Sequence, residues 1–77
     1  MERLTKENIK DMDMVAVIVT DIENNQDKGW FIVRGNNYYL LPFNSIWRRR
    51  LYKWSHIKTI KYLSNGVEFK RTLHTGE

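Results

Sequence analysis

Met14-Val15-Ala16-Val17-Ile18-Val19 is apolar at all six positions and rich in β-branched residues. Such a run is too short for a buried helix and reads as a strand. A strand apolar on both faces belongs at the centre of a sheet, with a cover on each side, as in a closed barrel. Everything on either side of it is read outward from that position.

Before the run, residues 1–12 read as a short N-terminal helix. Leu4, Ile9 and Met12 fall near one face, and the Thr5 hydroxyl can accept from a backbone N–H two or three residues on. A helix this short needs tertiary packing to form. After the run, Ile22 to Gly29 is polar and reads as a loop. Trp30–Arg34 and Tyr38–Leu41 then read as two strands joined at Gly35-Asn36, where glycine tolerates the positive φ of a type II′ turn. That register sets Val33 against Tyr38 and Phe31 against Leu40. Asn65-Gly66 is a type I′ hairpin dipeptide. As a two-residue turn it pairs Ser64 with Val67, sets Lys61 against Lys70, and places Ile60, Tyr62, Val67 and Phe69 on one buried side.

Residues 43–56 divide poorly into apolar and polar faces when read as a strand. Read as a helix, Ile46, Trp47, Leu51 and Trp54 cluster on one side, which predicts a helical turn over residues 44–54. The assembled expectation is a mainly β fold. It is a small SH3-like or Sm-like five-stranded antiparallel barrel with a short N-terminal helix. One domain spans residues 1–73, and residues 74–77 are a frayed tail.

Composition narrows the function classes. The chain has 77 residues and no cysteine, so disulfides and thiolate metal sites are excluded. A chain of this length buries only about 60% of the surface its unfolded state exposes. Its ten aromatic residues must therefore supply much of the core. No stretch approaches 18 apolar residues, and the N-terminus lacks the basic, apolar and small-residue pattern of a secretory signal. The expected compartment is the cytoplasm, with no membrane partner.

Charge is unevenly placed. Residues 1–44 carry five basic and seven acidic side chains, and residues 45–77 carry eight and two. A basic second half points to a polyanion or to an acidic protein surface. The densest segment is Trp47-Arg48-Arg49-Arg50-Leu51-Tyr52-Lys53-Trp54, where cations alternate with rings. Arginine forks bind phosphate oxygens, and aromatic rings stack on exposed bases. The expected nucleic-acid-binding residues are Arg48, Arg49, Arg50, Lys53, Trp54, Lys61 and Lys70. Tyr39 and Tyr52 are further stacking candidates, and Arg71 extends the basic surface. The ligand class is DNA or RNA, bound with low sequence specificity. For Trp47 and Trp54 a place in the core competes with a place in the contact.

The alternative is a protein-interaction module, such as a small inhibitor or regulator of a larger protein. Aromatic anchors and arginines would meet an acidic partner, and the same surface could form a homodimer. An exposed apolar-aromatic patch would favour this alternative.

Other chemistry finds little support. Oxygen side chains at 21, 23, 25 and 27 open a calcium-loop pattern, but Gln26 and Ile32 stand where glycine and glutamate are required. His56 and His74 are too far apart for zinc-ligand spacing. No nucleophile elbow or glycine-rich phosphate loop is present. The sequence thus predicts no enzyme, no metal and no cofactor.

Overall fold

β2 (Val15–Asp21) takes the centre of the sheet, as its apolar run requires. It is hydrogen-bonded on one side to β3 (Gln26–Arg34) and on the other to β6 (Ile57–Tyr62). β4 (Asn37–Pro42) and β5 (Arg50–Tyr52) continue beyond β3. β7 (Glu68–Lys70) and β1 (Glu2–Arg3) continue beyond β6. The computed structural model describes residues 1–72, so the expected tail at 74–77 lies outside the described residues.

These seven strands make one open sheet with β1 and β5 at its edges. The mainly β class is as expected, but the five-stranded closed barrel is not formed. The sheet is also not wholly antiparallel, because β1 runs parallel to β7. Both edge strands have only two or three residues, which leaves little unpaired backbone for another chain to extend.

The core lies on one side of this sheet. Val17, Val19, Phe31, Tyr38, Leu40, Tyr52 and Ile60 face inward and are buried together. Leu4, Ile9, Met12 and Ile57 complete the cluster. Ile9 and Met12 come from a 3-10 helix at Asn8–Met12, five residues within the stretch where a short helix was expected. Thr5 does act at its start, accepting from the Asn8 N–H at 3.0 Å while the Asn8 side chain accepts from the Thr5 N–H at 2.9 Å. β3 and β4 close tightly at Gly29, where a Cβ would lie 2.1 Å from the Leu41 carbonyl oxygen.

The Gly35-Asn36 turn and its register are as predicted, with Val33 opposite Tyr38 and Phe31 opposite Leu40. The second hairpin differs. Tyr62, not Ser64, pairs with Val67, and Leu63 to Gly66 form a four-residue loop. Only Gly66 of the Asn65-Gly66 pair takes a positive φ (74°), whereas a type I′ turn needs both. The two-residue shift keeps the parity of the side chains, although Val67, expected on the buried side, is exposed, and it sets Lys61 against Glu68. The predicted Lys61–Lys70 opposition is thereby removed.

Residues 43–56 contain no α-helical turn. A tight turn follows Pro42, with the Ser45 N–H donating to Pro42 and the Arg48 N–H to Ser45. β5 follows, and then a 3-10 turn at Trp54–His56. A long-range contact decides this. Arg50 and Tyr52 point to the core side, where Arg50 reaches the Asp27 carboxylate at 2.7 Å. The Tyr52 hydroxyl donates to the same carboxylate at 3.1 Å. Burial, and then the Asp27 charge, push the Tyr52 phenol well above its ordinary range.

Two outcomes are expected of this cluster. Tyr52→Phe should lower unfolding stability by about 1 kcal/mol, and less so when Asp27→Asn is already present, as read by urea denaturation of the double-mutant cycle. The raised phenol stabilises the fold in its neutral form. Stability should therefore hold below about pH 10, where the unfolded tyrosine ionises, and fall as pH rises beyond it. The fall should be shallower in Tyr52→Phe, and an unchanged slope would remove Tyr52 as its source.

Candidate functional site

Strand alternation gives the sheet a second face, turned away from the core. On it stand Ala16 and Ile18 of β2, Trp30 and Ile32 of β3, Tyr39 and Leu41 of β4, and Leu51 of β5. No element among the described residues covers this face as the Asn8–Met12 segment covers the other. Trp30 is 45% exposed and Leu51 52%. β2 was expected to have cover on both faces, and it has cover on one.

The loop between β4 and β5 borders this surface. Phe43 meets Trp30 edge-on, with ring centres 5.7 Å apart. The Arg49 guanidinium lies over the Tyr39 ring, 5.0 Å from its centroid. Trp47 is 89% exposed, so it is not part of the core. A large apolar ring left in water by so small a chain is costly, on the order of 1.5–3 kcal/mol of forgone burial.

Basic side chains share the face. Lys28 and Lys61 flank Ile18 on the two strands beside β2, and Lys70 lies further out on β7. Arg34 stands at the end of β3, held by Asp13 at 3.2 Å. Among the described strand positions Glu68 is the acid on this face, opposite Lys61. Asp27 points to the core side, and the Asp21 carboxylate accepts from the Glu23 and Asn25 N–H groups, closing the 22–25 turn.

The predicted site residues do not form one cluster. Arg48 and Arg49 lie in the loop beside the exposed face. Arg50 turns to the core side and pairs with Asp27. Lys53 donates to the Asn37 side chain at 3.2 Å. Trp54 packs against the core, with Lys6 and Arg71 over its ring. Arg71 is buried and donates to the Ile57 and Ser55 carbonyls, so it is no part of a basic surface. Tyr52 is buried as well, and of the three stacking candidates Tyr39 alone faces outward. Lys61 and Lys70 share the outer face, but Lys70 is five strand spacings from β5, about 24 Å on a flat sheet.

Trp30, Phe43 and Leu51 were missed. The signal for Trp30 was available: Trp30-Phe31-Ile32-Val33 is apolar on both faces, like the β2 run. Among the described residues no group of three His, Asp or Glu is placed to hold a metal ion, and no helix is long and apolar enough to cross a membrane.

The three tryptophans should be separable in solution. Trp47→Phe should remove most of the emission that acrylamide quenches readily. Trp54→Phe should leave that fraction in place, and the reverse result would put Trp47 inside.

No protein-family model matches the chain, and no curated protein or solved structure matches it.

Proposed function

We propose that this chain is a nucleic-acid-binding protein that uses the outer face of its sheet and acts without catalysis. The observation that carries the reading is the coincidence on one face of exposed rings with Lys28, Lys61, Lys70, Arg48 and Arg49. The cations of the face engage phosphates, which releases counterions and gives affinity without sequence preference. The exposed rings then meet bases. Arg50 and Trp54, committed elsewhere in the fold, drop out of the predicted contact set.

Exposed Ile46 and Leu51 favour a second reading, docking of an acidic protein whose apolar side chains cover the same face. The chain would then act as a small regulator or inhibitor. A second copy fits less well, because two such faces would bring like charges together.

The test is anisotropy of labelled DNA and RNA oligonucleotides at 20 and 150 mM salt. Saturable binding is expected, weakening steeply with salt. Charge reversal of Arg48 and Arg49 together should reduce the slope of log K against log salt by about 1–2, similarly for all sequences. No binding at the lower salt would overturn the proposal, because electrostatic attraction is strongest there.

A further inference from the structure

We infer that the nucleic acid taken by this face is single-stranded, with bases stacked on Trp30 and Tyr39 and covered by the Trp47 loop. The inference rests on the nucleic-acid reading above and specifies its ligand.

The spacing of the rings is the first argument. Trp30 lies opposite Leu41, and Tyr39 opposite Ile32, so Trp30 and Tyr39 are diagonal neighbours on one face. Diagonal neighbours on adjacent strands are about 7–8 Å apart. A duplex strand rises 3.4 Å per nucleotide. Adjacent bases can therefore reach both rings only after they have unstacked. A duplex offers phosphates and groove edges, and has no free base face to lay on either ring.

The occupancy of Tyr39 is the second argument. The planar Arg49 guanidinium already lies on this ring, the position in which a base would stack. A base that takes the position releases Arg49 toward the adjoining phosphate, so one exchange makes both contacts. Trp30 is braced at one side by Phe43, which fixes its ring before a ligand arrives. Trp47, two residues before Arg49, stands fully in solvent and can close over a bound strand.

Outside the 43–49 loop, the described residues offer little that could read a duplex. The longest helical segment among the described residues is the five-residue Asn8–Met12, whose Ile9 and Met12 are buried in the core. A β-ribbon could enter a major groove tip-first. Yet of the turns joining antiparallel neighbours only the 43–49 loop carries arginine, and those at 22–25, 35–36 and 63–66 contain no lysine or arginine.

The experiment uses the full chain with labelled dT20, rU20 and a 20-base-pair duplex, at one low salt concentration, with tryptophan emission read alongside. Either single strand should bind at least tenfold tighter than the duplex and quench tryptophan. Tyr39→Leu and Trp47→Ala should each weaken single-strand binding roughly 5- to 100-fold, the effect of losing one stacked base, while barely changing duplex binding. Trp54→Phe is the control outside the site and should bind as the parent does. Thermal melts of each variant confirm that it is folded. Duplex binding equal to or tighter than single-strand binding would overturn this inference and leave the proposed function standing. Single-strand preference that survives both ring substitutions would overturn the stacking assignment. Failure to bind any of the three probes would overturn the proposed function as well.

Discussion

The Asp27 carboxylate holds the far edge of the sheet in place. It lies on β3, two residues beyond Gly29, the last β3 position paired with β4. From there it reaches past the end of β4 to Arg50 and Tyr52 of β5. β5 has three residues, too few to hold an edge by its own ladder. With Arg50 and Tyr52 tied inward, alternation turns Leu51 outward beside Tyr39. The same tie fixes the end of the 43–49 loop and so where Trp47, Arg48 and Arg49 can stand. One partly buried ion pair with a shared phenol therefore sets the geometry of a surface on the opposite side of the sheet.

Among the described residues the sheet has one cover for two apolar faces. The N-terminal segment supplies Leu4, Ile9 and Met12 to the core side, whereas Ile18, Trp30, Ile32 and Leu41 stand on the opposite face. A closed barrel would be another way to treat a central strand like β2, but the edge strands β1 and β5, of two and three residues, do not pair with each other. A chain that must economise on core nevertheless leaves Trp30, Phe43 and Trp47 exposed. Among the described strand positions, Lys28, Arg34, Lys61 and Lys70 share that face with Glu68.

Much of the fold was legible because it rests on local patterns. The β2 run, the Gly35-Asn36 hairpin with its register, and the shared face of Ile60, Tyr62, Val67 and Phe69 all follow from period-two alternation and turn chemistry. Three features were not legible, each for a distinct reason. β5 looked unlike a strand because Arg50 faces inward, and only Asp27, 23 residues earlier in the chain, makes that tolerable. The second hairpin was placed two residues off because Asn65-Gly66 also suits the end of a four-residue loop. Barrel closure was inferred from two-sided apolarity, which shows that a strand has two faces to cover and leaves open what covers them.

The candidate site teaches the same lesson with charge. Counted along the chain, Trp47 to Trp54 is the basic-aromatic centre, but a linear run does not remain together once it enters a strand. Alternation turns Arg50 and Tyr52 to the core side, where Tyr52 is buried, leaves Arg49 and Leu51 outside, and the following turn sets Trp54 under Arg71. What remains joins residues far away in sequence, Lys28 and Trp30 on β3, Tyr39 on β4 and Lys61 on β6, because they share a parity and a sheet. Parity of position, more than density of charge along the chain, decides which cations and rings can act together on one ligand. On this sheet it sets Lys28 and Lys61 on either side of Ile18 of the central strand, and Trp30 and Tyr39 beside them on β3 and β4.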